Sequence, residues 1–259
     1  MTANRKETVD LNCDYGEGFG AYRFGGEEEL LSLVTSVNIA CGFHAGDPHT
    51  MRESVERALA AGVATGAHPG LPDRLGFGRR EMAVSPGEVY DFVLYQVGAL
   101  QAFANAAGSK LRHVKPHGAL YHMANRDGEI AEAIVKAAAA IDKELILYAQ
   151  SGSLLLETAE RLGMNAASEV FADRTYEPGG GLTPRSRRGA SLAEPEAAAR
   201  QAVSMVVHGR AFTPEGGSVP VRADTICLHG DGPHAAAMAA AVRSALAANG
   251  VRIAPLHKK

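Results

Sequence analysis

Several short stretches of this chain set acids, bases and imidazoles among glycines, a mixture that suits chemistry better than packing. Asn12-Cys13-Asp14-Tyr15-Gly16-Glu17-Gly18 puts two carboxylates, Asp14 and Glu17, just past an apolar run. Such groups can bind a hard metal ion, take a proton or cap a turn. The flanking glycines let backbone approach a ligand closely. Gly42-Phe43-His44-Ala45-Gly46-Asp47-Pro48 carries an imidazole with no evident structural duty, and an aspartate that reads as a helix N-cap. His68 precedes a Gly- and Pro-rich loop with Arg74, Arg79 and Arg80, whose guanidiniums can be solvated or can grip a carboxylate in bidentate fashion.

The strongest indicator is Val114-Lys115-Pro116-His117-Gly118. An unpaired buried ammonium is costly. Lys115, on an inward strand position, must therefore meet an acid such as Asp14 or Glu169, or an anionic ligand. His117 lies two residues on, on the same face. Glu169, Asp173 and Arg174 follow another apolar run, and His229-Gly230-Asp231 follows the last. Any one of these histidines could be structural. His44, His68, His117 and His229, all at strand ends, are harder to dismiss together.

The elements that position these groups are short apolar runs alternating with longer Ala-rich periodic stretches. Strands are expected at Thr8–Cys13, Ser36–Cys41, Ala64–Ala67, His113–Lys115, Leu145–Ala149, Asn165–Glu169 and Thr225–Leu228. Helices are expected at Glu27–Leu33, Pro48–Ala61, Pro86–Ala107, Gly128–Ile141, Ser153–Leu162, Glu194–His208 and Pro233–Ala248. Prolines open three of them and glycines follow several, as helix ends require. The Gly- and Arg-rich stretch 177–189 reads as a loop.

Alternation of this kind implies a parallel sheet with crossover helices. Side-chain parity chooses between a barrel and an open sheet. Asn12 and Asp14 oppose Leu11 and Cys13; His113, Lys115 and His117 oppose Val114; Cys227 falls on the polar side of its strand. An open sheet covered on both faces should be apolar on both. Polar groups also gather at strand C-terminal ends, the active-site face of β/α barrels. The expectation is one domain over residues 1–259, an irregular seven-stranded α/β barrel of the TIM-like kind, similar to glycoside hydrolase and deacetylase barrels.

Bulk properties agree. The 259 residues are 46% hydrophobic, contain no tryptophan and carry a net charge of −3. That charge offers no basic face for nucleic acid. Cys13, Cys41 and Cys227 form no CxxC pair and read as buried free thiols, which fits a reducing compartment. No stretch resembles a signal peptide or a membrane helix, so a soluble cytoplasmic protein is expected. GxxxxGK[ST], GxGxxG after a strand, GxSxG and HExxH are all missing, which leaves nucleotide folds, serine hydrolases and zincins without support.

Taken together, DLNCDYGEGFG, SVNIACGFHAGDP, GAHPGLPDRLGFGRREM, VKPHGALYH, EVFADRTYEPGGGLTPRSRRGA and CLHGDGPHA resemble the LamB/YcsF family, in that family's order and across nearly the whole chain. The resemblance implies ATP-dependent hydrolysis of 5-oxo-L-proline to L-glutamate, shared with 5-oxoprolinase subunits B and C. Without a phosphate loop, ATP is expected to be handled with those partners. On this reading ATP phosphorylates the lactam oxygen, Asp14 acts as general base, Lys115 stabilises the oxyanion or a phosphoryl oxygen, and His117 or His229 protonates the ring nitrogen. Arg74, Arg79 or Arg174 would anchor the substrate carboxylate, with Asn12, His44, His68, Glu169 and Asp231 as further substrate contacts. An alternative is a metal-dependent deacetylase or amidohydrolase of a small carbohydrate or cyclic amide, its divalent ion held by Asp14, His44 and His117. A third is a non-enzymatic substrate-binding or regulatory subunit.

Overall fold

The computed structural model describes residues 7–22, 25–228 and 235–257. The first half runs β1 (Thr8–Tyr15), α1 (Glu27–Leu31), β2 (Ser36–Ala40), α2 (Pro48–Ala60), β3 (Ala64–His68), α3 (Pro86–Ala106), β4 (His113–Val114), α4 (Gly118–Ala124) and α5 (Gly128–Ile141). The second half runs β5 (Ile146–Gln150), α6 (Leu154–Arg161), β6 (Ala166–Phe171), α7 (Pro195–His208), β7 (Arg210–Phe212), β8 (Ser218–Pro220), β9 (Thr225–Leu228), α8 (Ala235–Ala248) and β10 (Arg252–Ile253).

Among the described residues, seven parallel strands pair in the order β1-β2-β3-β4-β5-β6-β9, and β9 closes onto β1. This is the expected TIM-like β/α barrel. Its irregularity lies at the bottom, where β10 pairs with Thr8 and Val9 before β9 takes over at Asp10. The hairpin β7–β8 stands outside the barrel. Every expected strand forms. The expected helices form too, although Pro233 lies outside the described residues. The short α4, the β7–β8 hairpin and β10 were not foreseen, because runs of two to seven residues leave too little periodicity to read.

Helix starts follow local chemistry. Asp47 caps α2 by accepting from the Thr50 N–H at 2.9 Å, with Pro48 next in line. Ser85 and Glu88 form a capping box on α3. Both devices satisfy N–H groups that a helix leaves orphaned.

Parity divides the strands as the sequence indicates. Leu11, Cys13, Ile39, Val114, Val170 and Ile226 are fully buried in the hydrophobic cluster that unites strands and helices. Each such side chain is worth about 1.5–3 kcal/mol of burial. The opposite face fills the barrel, and it is polar where such interiors are usually packed with branched apolar residues. At the bottom, buried Asp10 accepts from Thr35 at 2.7 Å, Ser36 at 2.7 Å, Thr225 at 2.6 Å and Tyr148 at 3.1 Å. One layer up, Asn12 donates to Thr225 at 2.7 Å and to Glu169 at 3.1 Å, and accepts from Asn38 at 2.7 Å. His113 donates from Nε2 to the side-chain oxygen Oδ1 of Asn38 at 2.8 Å and stacks on Tyr148. Gly66 makes room for that imidazole: a Cβ there would lie 2.2 Å from its ring.

Replacing Asp10 by Ala takes the shared acceptor from the buried Ser36, Thr225 and Tyr148 hydroxyls, so about 3 kcal/mol of stability should be lost. Urea unfolding should show a lower midpoint at unchanged slope. A loss below about 0.5 kcal/mol, the scale of a neutral surface substitution, would show that the network does not hold the barrel floor.

Candidate active site

The polar interior leads upward to a cavity of about 700 Å³ at the C-terminal ends of the strands. Asp14, Glu17, His68, Lys115 and His117 line its inner part, and Tyr121, Phe171 and Arg174 continue the wall.

Lys115 is buried at the base of this cavity, just past β4. Its Nζ lies 3.0 Å from Asp14 Oδ1, 3.3 Å from Glu169 Oε1 and 3.0 Å from Cys227 Sγ. Burial alone would lower its pKa. Asp14, Cys227 and Glu169 together reverse that and lift it well above the ordinary lysine value, so it stays an ammonium. Both acids expected from the sequence are therefore its partners. Glu169 also accepts from the Tyr121 hydroxyl at 2.7 Å, and Asp14 from Asn38 at 3.0 Å.

Beside this pair stands a histidine cluster. His68 Nδ1 lies 2.6 Å from the Lys115 carbonyl oxygen, and His117 Nε2 lies 2.8 Å from the Phe77 carbonyl oxygen. A carbonyl only accepts, so both of those nitrogens carry protons. The other nitrogens, His68 Nε2 and His117 Nδ1, then face each other at 3.0 Å. Two lone pairs at that distance call for a cation or a shared proton between them. His44 stacks on His117 with ring centroids 3.7 Å apart, and its Nε2 lies 3.4 Å from Glu17 Oε1. Neither ring nitrogen of His44 has a hydrogen-bond partner among the described residues.

One ligand atom from each of Glu17, His44, His68 and His117 lies within 4.8 Å of the others. This group could hold a metal ion: neutral imidazoles oriented by backbone carbonyls, plus a carboxylate, are the donors that divalent transition metals take. His44 and His117 are kept neutral in the required sense. Burial, then neighbouring imidazoles, lowers both pKa values well below the usual histidine value. Local backbone serves the cluster as well. Gly78, at φ +63°, passes so close that a Cβ would fall 2.7 Å from His44 and 2.9 Å from His117.

The LamB/YcsF family pattern matches residues 9–259. The chain belongs to the LamB/YcsF family. A curated relative, the A subunit of 5-oxoprolinase from Brevibacillus brevis, is 54% identical over 248 residues, covering 96% of this chain and 98% of that one. Among solved structures, a lactam utilization protein from Thermus thermophilus is 50% identical with a TM-score of 0.91, covering 96% of this chain and 100% of that one. A family 4 carbohydrate esterase from Streptomyces lividans aligns at 13% identity and TM-score 0.50 over 98% of this chain and 94% of that one, a likeness of fold alone.

In this LamB/YcsF chain the residues singled out from sequence separate into groups. Asp14, Lys115, His68, His117, Arg79 and Arg174 line the main cavity. Asn12 and Glu169 lie beneath it, fully buried, and support Lys115 instead of lining the cavity. His44 and Arg74 line a smaller neighbouring cavity, where Arg74 sits 3.8 Å over the Phe19 ring and donates to the Gly42 carbonyl. Arg74 is thus turned away from the Lys115 centre. His229 and Asp231 lie outside the described residues. The metal-capable group also differs from the set read from sequence. Asp14 is engaged by Lys115 and Asn38, and Glu17 and His68 take the expected place of Asp14. Tyr121 and Cys227 were missed as members of the site. A tyrosine on an unforeseen helix carries no signal, and Cys227 was recognisable only by its polar-side parity.

Burial of neutral imidazoles has a pH consequence. His44 and His117 are held well below the ordinary histidine pKa, and burial lowers His113 to about 3. Unfolding frees each to take a proton below its normal value of about 6.5. Stability should therefore fall as pH drops below about 6.5, approaching about 1.4 kcal/mol per pH unit for each imidazole. Urea unfolding in EDTA at neutral and mildly acidic pH measures this. Stability that stays flat over that interval would contradict the buried neutral state.

Proposed function

We propose that this chain is the A subunit of 5-oxoprolinase and catalyses, in the cytoplasm with partner subunits B and C, the ATP-dependent opening of 5-oxo-L-proline to L-glutamate. The observation that carries this reading is the buried Lys115 ammonium beside Asp14 at the floor of the cavity, in a chain 54% identical to a relative of that name. A lactam is an amide and a poor electrophile. ATP supplies the activation, and the lack of a phosphate loop in this sequence assigns its handling to the complex.

The residues of the cavity suit the hydrolytic half. Asp14 takes a proton from the attacking water, a role worth about 10²–10⁴-fold for a positioned base. Lys115 faces the charge that grows on the oxygen of the ring carbon, a fixed cation in a dry site. Glu169, Asn12 and Tyr121 hold Lys115 and its partners in place. His117 is a poor source of the proton for the ring nitrogen, because its N–H is donated to the Phe77 carbonyl and its pKa is depressed by burial. Asp14 can return the proton that it has taken. A divalent metal ion held by Glu17, His44, His68 and His117 would polarise a carbonyl or a water beside it. No helix of the described residues is long and apolar enough to cross a membrane.

The direct test is glutamate formation from 5-oxo-L-proline and ATP by the reconstituted complex. Asp14→Asn should lower turnover by at least about 10²-fold while the variant still folds. Near-normal turnover would remove Asp14 from the chemistry. Turnover by this chain alone with metal and no ATP would instead favour an independent metal amidohydrolase.

Metal binding can be read separately. Cobalt titration of the EDTA-treated chain should reach about one equivalent, the content of a mononuclear site. His117→Ala should abolish tight binding and Asp14→Asn should preserve it. Loss with Asp14→Asn alone would restore the ligand set of Asp14, His44 and His117 expected from sequence.

A further inference from the structure

Among the described residues five large apolar side chains are exposed: Phe19, Tyr22, Leu75, Tyr95 and Leu162. Single exposed apolar residues are ordinary, but a contiguous group marks an interaction surface. Four of these five share one face. Arg74 sits 3.8 Å over the Phe19 ring, donates to the Gly42 carbonyl and is followed directly by Leu75. Phe43, next to Gly42, stacks on Tyr95 with ring centroids 5.5 Å apart. Tyr22 lines the same small cavity as Phe19 and Arg74. Leu162 follows α6 and precedes β6, at the opposite end of the barrel.

The face is built before any partner arrives. Phe19 and Tyr22 each donate a backbone N–H to the other's carbonyl at 2.9 Å. Between them the Gly20 N–H donates to Asp47 at 2.8 Å, so the cap of α2 also pins this turn. Leu75 stands at the tip of a second turn. There the Gly76 N–H donates to the Asp73 carboxylate at 3.0 Å and the Gly78 N–H to the Asp73 carbonyl at 2.8 Å. Leu75 is 97% exposed. Holding it in water forgoes the roughly 1.5–3 kcal/mol that burying such a side chain is worth. Rigid aromatic and arginine side chains are what protein interfaces concentrate at their centres.

Size and charge select the occupant. The hollow between Phe19, Tyr22 and Arg74 encloses about 170 Å³, below the roughly 300–1,000 Å³ of small-molecule sites. It suits one side chain of a protein better than a free ligand. Among the described residues the Arg74 guanidinium meets a ring and a neutral carbonyl, which leaves its charge for a carboxylate from outside. Glu17 and His44, two of the metal-capable group, line the same hollow. A protein seated here lies directly against the active site. This sequence has no phosphate loop, so ATP chemistry must be brought to that site by another chain.

We propose that Phe19, Tyr22, Arg74, Leu75 and Tyr95 form the docking face for the ATP-handling partner subunit, which presents an apolar surface with a carboxylate opposite Arg74. The inference rests on the ring-opening function proposed above and gives the partner its place, over the metal-capable group. It also gives a role to Arg74, which is turned away from the Lys115 centre.

The test titrates purified subunits B and C into the full chain. Complex formation is read by sedimentation velocity, and glutamate formation from 5-oxo-L-proline and ATP is read in the same mixtures. Leu75→Glu and Tyr22→Ala should each raise the partner concentration for half-maximal glutamate formation at least about tenfold, as loss of an interface anchor does. The saturated rate should stay within about twofold, since both side chains lie on the surface. Leu162→Glu should titrate like the wild type. An unchanged partner requirement in both Leu75→Glu and Tyr22→Ala would overturn the docking face. So would a chain that dimerises by itself and becomes monomeric with Leu75→Glu, because the occupant would then be a second copy. Failure of the ring-opening reading shows differently, as no glutamate from the wild-type mixture at any partner concentration. Sedimentation then still decides the face: a complex that Leu75→Glu dissolves upholds it, and the absence of any complex overturns it.

Discussion

The site depends on one buried ion cluster, the Lys115 ammonium held between Asp14 and Glu169. Each charge is tolerable in the barrel only because the others are there. An isolated ammonium would shed its proton, and isolated carboxylates would gain one. The polar interior follows from this constraint. Asn12, Asn38, Tyr121 and Thr225 take up the acceptor and donor capacity that the ions leave over. Apolar packing would have been the simpler way to fill a barrel, and often an equally stable one. The polar filling fixes Asp14 and Lys115 in position at the floor of a cavity.

Two further charge environments are built against that floor. On one side, two backbone carbonyls fix the tautomers of His68 and His117 and turn their lone pairs toward each other, with His44 and Glu17 alongside. On the other, Arg174 is held by neutral carbonyls, with no carboxylate in ion-pair distance among the described residues. A carboxylate, an ammonium, a group that could hold a metal ion and a buried guanidinium are thus gathered around one cavity. Such separation of charge suits a reaction in which negative charge moves from a carbonyl oxygen to a departing group.

Much of this was legible in the sequence because barrel geometry converts parity into direction. Asn12 and Asp14 share a parity, as do His113, Lys115 and His117, and in the structure these side chains turn to the barrel interior. Lys115 could be assigned an acidic partner or an anionic ligand before any fold was known, since an unpaired buried ammonium is costly. Distance along the chain hid the rest. His44 stands in a loop beyond β2, where parity no longer applies, so its stacking on His117 could not be read. Asn12 and Glu169 have the right direction but the wrong depth, one layer below the cavity. Arg74 belongs to a loop whose path is set by packing against Phe19, which no local pattern encodes.

The central claim is that Lys115 is a charged, paired ammonium at the cavity floor. NMR of lysine side-chain nitrogens in the ¹⁵N-labelled chain, assigned with Lys115→Met and followed across alkaline pH, measures that state directly. The account predicts that the Lys115 nitrogen stays protonated beyond the pH at which the surface lysines titrate. A Lys115 signal that becomes a neutral amine near neutral pH would contradict it, and with it the pairing on which the barrel interior is built.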